Sequence, residues 1–284
     1  MKAKDSLFSK KYSFNLRGKI LDLSTPKIMG VLNVTPDSFF DGGENNSLEN
    51  AKRQGEKMIN EGVSILDIGG YSSKPGAKEV SVEEEINRTV PIIEALRLEF
   101  PDVFLSVDTF RSKVGKANVE VGADMINDIS AGNLDEEMIP WIKAKKIPYV
   151  AMHMRGNPSN MQEKTNYINL TNQVLSELIF SVRDLSADHP LILDPGFGFS
   201  KTIKQNYELM HNLDVFNQLD QPFLIGVSRK SMIYKLLNSN PKGALNGTSV
   251  LNTIGIMKGA SILRVHDVKE AVEVVKLVKA TLQS

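Results

Sequence analysis

Eight short apolar runs recur along the 284 residues, separated by stretches of helical periodicity, and no other feature limits the possible folds so strongly. The runs are Lys27–Leu32, Val63–Ile68, Val103–Val107, Asp124–Ile126, Ile147–Met152, Leu191–Leu193, Phe223–Val227 and Ile262–Val265. Their near-continuous apolar character fits strands covered on both faces, as in parallel sheets. Eight β/α alternations in this length favour an α/β fold of the (β/α)8 TIM-barrel type over an open doubly wound sheet, with closure itself left open. No glycine-rich dinucleotide fingerprint follows any run, because Gly42-Gly43 is too short and sits in a long loop.

Between the runs lie helix signals. Ser47 and Ser81 stand where N-caps belong, and Ser81-Val82-Glu83-Glu84 reads as a capping box. From Tyr167 to Leu185, apolar residues at 167, 170, 174, 175, 178, 179, 182 and 185 share one helical face, as do Val268, Ala271, Val272, Val275 and Val278 at the end of the chain. Ahead of the first run, residues 12–23 alternate around Arg17-Gly18, the pattern of a short N-terminal β-hairpin. Nothing resembling a linker divides the chain, so residues 1–284 are expected to form one domain.

Composition mainly excludes. Without cysteine there is no disulfide, thiolate metal site or cysteine nucleophile. The 34 basic residues balance the 34 acidic ones, so charge gives no reason to expect nucleic acid or a membrane surface. Recognition of phosphate must therefore come from a few placed cations. The polar, basic stretch Met1–Asn15 does not read as a signal peptide and no segment is apolar enough to span a bilayer, so a cytoplasmic protein is expected.

A polar residue stands at or near the end of every run: Asn33, Asp67, Asp108, Asn127, His153, Asp194, Ser228 with Lys230, and Arg264 with His266. In a parallel barrel these ends share the rim where active sites are built. The bland alternative is that they only mark strand-to-loop transitions, or that Arg264 and Asp108 form a structural ion pair. The mixture of types points to a ligand with two ends. Asp108, Asn127 and Asp194 can accept from the N–H groups of an aminopyrimidine-type ring, while Lys230, Arg264, His266 and Lys74 can meet carbonyl or phosphate oxygens. The long loops 33–46 and 69–80 have the character of lids. By contrast, His189 and His211 read as solvated, Trp141 as packing and Lys143–Lys146 as an exposed helix end.

Taken in order, the motifs resemble one family over nearly the whole chain. Gly30-Val31-Leu32-Asn33-Val34-Thr35-Pro36-Asp37-Ser38-Phe39 with Asp41-Gly42-Gly43 is similar to the first signature of dihydropteroate synthases, and Asp67-Ile68-Gly69-Gly70 with Pro75-Gly76-Ala77 to the second. Ser106-Val107-Asp108-Thr109, Asn127-Asp128, Met152-His153-Met154, Asp194-Pro195-Gly196-Phe197-Gly198-Phe199, Ser228-Arg229-Lys230 and Arg264-Val265-His266-Asp267 follow in the family's order.

The resemblance implies a transferase of folate synthesis that condenses 6-hydroxymethyl-7,8-dihydropterin diphosphate with p-aminobenzoate, uses Mg2+, works as a homodimer and is inhibited by sulfonamides. By motif position it implies that Asp108, Asn127, Asp194 and Lys230 hold the pterin. Asn33, Lys74, Arg264 and His266 would hold the diphosphate, with Asn33 also on the metal, and Phe39, Ser73, Pro75, Phe199 and Ser228 would line the p-aminobenzoate pocket. The implied catalytic set is Asn33, Asp108, Lys230, Arg264 and His266. One stretch departs: the family's Glu-Ser-Thr-Arg is here Tyr71-Ser72-Ser73-Lys74, and lysine lacks arginine's planar fork. The rival readings are a methyl-folate:corrinoid methyltransferase of the same superfamily and a non-catalytic pterin-binding paralogue. A metal-dependent barrel hydrolase is weaker, since only His153 and His266 stand at strand ends.

Overall fold

The apolar runs become strands that are buried along nearly their whole length, which leaves no room for the half-exposed alternation of an open antiparallel sheet. A computed structural model describes residues 12–34, 44–72 and 79–283. A hairpin of β1 (Ser13–Leu16) and β2 (Lys19–Asp22) precedes eight parallel strands. These are β3 (Lys27–Asn33), β4 (Ile65–Gly69), β5 (Phe104–Asp108), β6 (Met125–Asp128), β7 (Tyr149–Met152), β8 (Leu191–Asp194), β9 (Leu224–Ile225) and β10 (Ile262–Val265). Helices alternate with them: α1 (Glu44–Asn60), α2 (Val82–Glu99), α3 (Ser112–Glu120), α4 (Met138–Lys145), α5 (Leu170–Val182) and α6 (Ile203–His211). Two helices, α7 (Ser231–Leu236) and α8 (Leu245–Met257), follow β9, and α9 (Val268–Gln283) follows β10.

The strands pair in the order β8-β7-β6-β5-β4-β3-β10-β9, and a parallel bridge between Leu193 and Phe223 joins the two ends. There the Leu193 N–H donates to the Pro222 carbonyl at 3.0 Å. The open doubly wound sheet is thereby set aside in favour of the barrel. Inside it, Met29, Ile65, Met125, Val150, Ile192, Leu224 and Ile262 pack with Leu16, Leu21 and Leu23 of the hairpin segment, which plugs the N-terminal mouth. The hairpin turns at Arg17 (φ 52°) and Gly18 (φ 85°), both left-handed as a two-residue turn requires, with Asn15 Oδ1 accepting from the Gly18 N–H at 2.9 Å. With its N-terminal end stoppered by apolar side chains, the barrel is free to carry polar chemistry only at the opposite end.

Several local expectations need correction. Helix α1 starts at Glu44, so Ser47 lies within its first turn rather than capping it. Ser81 does cap α2, accepting from the Glu84 N–H at 3.1 Å, but Glu84 turns its carboxylate to Arg88 at 2.9 Å, so only half of the capping box forms. The complete box is at α6, between Thr202 and Gln205. Strand β9 is shorter than the run Phe223–Val227, because its neighbour β10 pairs with it only at Leu224 and Ile225. His189 is buried, not solvated: its Nε2 lies 2.9 Å from the Ile147 carbonyl and burial lowers its pKa. Tyr167 precedes α5, and its ring lies under the Arg155 guanidinium at 3.8 Å.

Candidate active site

Most of the strand-end residues meet at the C-terminal mouth, and they are wired together by hydrogen bonds. Asp67 on β4 is fully buried; its Oδ2 accepts from Arg264 Nε at 2.6 Å and from Asn127 Nδ2 at 2.8 Å. Arg264 Nη2 donates to Asp108 Oδ2 at 2.5 Å. The ion pair between Arg264 and Asp108 is thus present, and Asp67 makes it a three-residue clamp. It leaves Arg264 Nη1 without a partner among the described residues, so the clamp orients the guanidinium without consuming it. Burial pushes the Asp108 carboxyl up to about 7, against the pull of Arg264 and with reinforcement from Asp67. For Arg264, burial opposes the charge, but Asp67 and Asp108 outweigh it and raise the pKa above its ordinary value. Asn127 gives one of its two amide N–H groups to Asp67, which fixes the amide's orientation and leaves Oδ1 as an acceptor.

Across the mouth, Asp194 ends β8. Its Oδ1 accepts from the Gly196 N–H at 2.8 Å, and burial raises its pKa while Lys230 opposes the rise. Lys230 donates to the Phe197 carbonyl, and its Nζ stands 4.8 Å from the centre of the Phe199 ring. Burial lowers the Lys230 ammonium to about 8, with Asp194 resisting. Ser228 Oγ accepts from the His266 N–H at 3.2 Å and lies 3.1 Å from His266 Nδ1. Between these two residues' motifs, Arg229 binds both oxygens of Asp267, Nε at 2.9 Å and Nη2 at 2.7 Å. That bidentate staple fixes the β9 loop to the β10 loop. Asn33 ends β3 in register with Gly69. A Cβ on Gly69 would stand 3.6 Å from both Asn33 Oδ1 and Asp108 Oδ2, so the glycine keeps open the space between them.

Three acids, two amides, a lysine and an arginine thus share one barrel rim. Residues 29–266 match the model of a pterin binding enzyme family. A dihydropteroate synthase of Escherichia coli K12 is 45% identical, with 94% of this chain and 96% of that protein aligned. The chain belongs to the dihydropteroate synthase family. Solved relatives agree. The Yersinia pestis dihydropteroate synthase in complex with a sulfonamide drug superposes with a TM-score of 0.88 at 41% identity, over 96% of this chain and 99% of that one. A Xanthomonas albilineans dihydropteroate synthase in complex with 7,8-dihydropteroate gives a TM-score of 0.86 at 35% identity, over 96% of this chain and 100% of that one. Another structure of the Xanthomonas albilineans enzyme contains 4-aminobenzoic acid.

In this enzyme the residues Asn33, Asp108, Asn127, Asp194, Phe199, Ser228, Lys230, Arg264 and His266 are all described, whereas Phe39, Ser73, Lys74 and Pro75 lie outside the described residues. Tyr71, the start of the departing stretch, packs edge-on against Phe110 with ring centres 5.3 Å apart, beneath the guanidinium of Arg111. Arg111 in turn pairs with buried Glu85 at 2.9 Å. His153 does not join the site: its Nε2 meets Glu177 Oε2 and its Nδ1 meets Lys201 Nζ, each at 3.0 Å. Lys201 is the residue whose placement the sequence did not reveal, whereas Asp67 was read on the rim without its bonds to Arg264 and Asn127. Asp67 sits within a strand and carries no sign of its partners. Lys201 lies two residues beyond a quoted motif, where a loop lysine ordinarily reads as solvated.

Proposed function

We propose that this enzyme displaces diphosphate from 6-hydroxymethyl-7,8-dihydropterin diphosphate with the amine of p-aminobenzoate, giving 7,8-dihydropteroate. The observation that carries this reading is the Asp67–Arg264–Asp108 clamp beside Asn127 and Asp194, which puts acceptors and an oriented guanidinium on one rim. Asn127 Oδ1 and the free oxygen of Asp194 accept from the amino and ring N–H groups of the pterin, and Lys230 donates to its carbonyl. Arg264 Nη1 and His266 meet the diphosphate. Phe199 and Ser228 line the p-aminobenzoate side, where sulfonamides compete; the family's motif positions assign Phe39, Ser73 and Pro75 to the same substrate and Lys74 to the phosphate.

The bond from the methylene carbon to the diphosphate oxygen breaks first, and the pair of electrons leaves with the diphosphate. Arg264 stabilises that charge, and the carboxylates Asp108 and Asp194 favour the cation left on the pterin, an SN1-like path. The arylamine nitrogen then forms the new C–N bond and releases its proton to solvent, so the site needs no strong base. The donors around Gly69 fit a hard cation: Asn33 Oδ1 offers one neutral oxygen, and Mg2+ characteristically takes few protein ligands and completes its shell with phosphate oxygens and water. When bound, Mg2+ neutralises part of the diphosphate charge.

The chain is read as one domain acting in the cytoplasm; no helix among the described residues is long and apolar enough to cross a membrane. A homodimer would cover the exposed apolar residues Leu236 and Leu237 and the Val250, Ile254 and Met257 face of α8, and light scattering on a sizing column tests it. The function is tested by mixing purified protein with Mg2+, the pterin diphosphate and p-aminobenzoate. Dihydropteroate and diphosphate should form in equal amounts. Binding of the pterin diphosphate without turnover would identify a non-catalytic paralogue instead.

A further inference from the structure

Lys201, just before α6, is 3% exposed and directs its ammonium inward. Its Nζ lies 3.0 Å from the Gly196 carbonyl, 3.1 Å from the Phe199 carbonyl and 3.0 Å from His153 Nδ1. Burial lowers the Lys201 ammonium to about 7, with Asp194 resisting; in the charged form it has three N–H groups, and here each has one acceptor. His153 is itself buried; burial first, then Lys201, lowers its pKa to about 4, so the ring is neutral. With Lys201 donating to Nδ1, the ring proton must be on Nε2, from which it is donated to Glu177 at 3.0 Å. Glu177 is held in turn by Arg155, whose Nε lies 2.9 Å from Oε2. The array therefore runs from α5 at the surface, through the end of β7, to the turn that follows β8.

That turn carries site groups. Gly196 has a φ of 73°, and a Cβ there would overlap the His153 carbonyl oxygen, so the turn lies backbone to backbone on the end of β7. Asp194 at its start is fixed independently by the barrel, where its carbonyl accepts from the His153 N–H at 2.9 Å. Gly198 is tied by its N–H to Asn206 at 2.7 Å. Among the described residues, the Phe199 backbone meets only the Gly196 carbonyl, 3.2 Å from its N–H, and Lys201. Lys201 thus holds both carbonyls, that of Gly196 together with the Phe199 N–H, and the Phe197 carbonyl inside the turn is the acceptor for Lys230.

We propose that Lys201 is a positioning residue: joined to Glu177 through His153, it locks the Gly196–Phe199 turn so that Phe199 faces the p-aminobenzoate side of the site. The assignment of Phe199 to that side rests on the function proposed above. Lys201 touches neither substrate in this reading, so its loss should act unevenly. Asp194 keeps its place through the strand ladder, whereas Phe199 loses its anchor.

The test compares wild type with Lys201→Met, which keeps the stem and removes three donors, and with Glu177→Gln, a partly exposed change that weakens the array from its outer end. Steady-state kinetics should show the KM for p-aminobenzoate rising about tenfold in Lys201→Met, as expected for a lost charge-assisted bond, with pterin diphosphate affinity falling by a clearly smaller factor, because the Phe197 carbonyl that meets Lys230 shares the turn but Asp194 does not depend on it. Glu177→Gln should move the same constant in the same direction by a smaller factor. A 19F resonance from 4-fluorophenylalanine at Phe199 should broaden or split in Lys201→Met, a change that a general loss of stability would not confine to one ring. Equal losses in both substrates, or an unmoved p-aminobenzoate KM with an unchanged resonance, would overturn the proposal. Should Lys201→Met fail to fold, an unmoved KM in Glu177→Gln is the overturning result. Absence of product from wild type would instead count against the parent function, and the resonance would then decide the role of Lys201 by itself.

Discussion

Asp67→Asn isolates the clamp from the residues that meet substrate. The amide can still accept from Arg264 Nε and Asn127 Nδ2, the two donors that the carboxylate Oδ2 serves at 2.6 and 2.8 Å, but the charge is gone. Two consequences follow, with separable magnitudes. The first concerns Asp108, which burial raises to about 7 and Asp67 helps to keep there. Two carboxylates bridged by one guanidinium sit roughly 6 Å apart, and at an effective dielectric of about 20 their repulsion is about 3 kcal/mol, or about two pH units. Solvent at the mouth and the dipole of the new amide reduce this, so a shift of about one unit is expected. Loss of Asp67 also leaves Arg264 more fully to Asp108, which works in the same direction. In wild type, kcat/KM for the pterin diphosphate should fall as pH drops through about 7 and Asp108 takes up its proton. In Asp67→Asn that limb should move about one unit lower. The second consequence is orientation. Replacing a charge-assisted bond by a neutral one costs about 1–1.5 kcal/mol, so at pH 8 the variant should be about tenfold slower in kcat/KM. A pH series of initial rates from pH 5 to 9, run beside thermal melts, measures both. An acid limb that stays in place or rises, together with pH 8 activity within about twofold of wild type, would refute the idea that Asp67 sets the state of this cluster.

Other consequences are more direct. Arg264→Ala should slow single-turnover release of diphosphate by about a hundredfold or more while pterin affinity, measured by calorimetry, changes far less; a pure binding defect would contradict the role given to Nη1. Asp194→Asn presents an N–H to the pterin's own N–H edge, so calorimetry should show pterin binding weakened by about 2 kcal/mol or more, and unchanged affinity would remove Asp194 from the ring site. Gly196→Ala forces a Cβ onto the His153 carbonyl at a left-handed φ, and the melting temperature should fall by several degrees, on the scale of about 2–4 °C per kcal/mol. Removing Mg2+ with a chelator should abolish turnover yet leave the melting temperature unchanged, since Asn33 holds its place through β3 without it.

The fold was largely legible because the barrel imposes a strong pattern: buried parallel strands leave apolar runs, and seven of the eight runs correspond to strands of three residues or more. Boundaries were less so. The run at Phe223–Val227 shrank to two paired residues because register with a neighbour, which a single run does not encode, decides where a ladder stops. The start of α2 at Ser81 was legible, but its capping box formed only in half, because Glu84 meets Arg88 instead of the backbone of Ser81. At the site, the residue types were readable at strand ends, but their orientation was not. Asn127 looked like one acceptor among three; only its bond to Asp67 shows which way round the amide is held. His153 looked equivalent to the other strand-end residues, yet its two nitrogens are both committed to Glu177 and Lys201.

The choice between a structural ion pair and a ligand-binding arginine turns out to be no choice. A guanidinium presents five N–H groups in a plane, and Arg264 gives Nε to Asp67 and Nη2 to Asp108, keeping Nη1 in the same rigid plane. An arginine left alone at a barrel mouth would have to surrender its rotamer freedom and its hydration when an anion arrived. Here both have been given up during folding, and the two carboxylates keep the mouth from accumulating positive charge that any passing phosphate could exploit. Selectivity then rests on whether a ligand can use a single pre-aimed edge of Arg264 while its other end satisfies Asn127, Asp194 and Lys230. A free diphosphate meets only the first requirement and a free pterin only the second, so the molecule that joins them is the one the mouth is built to hold.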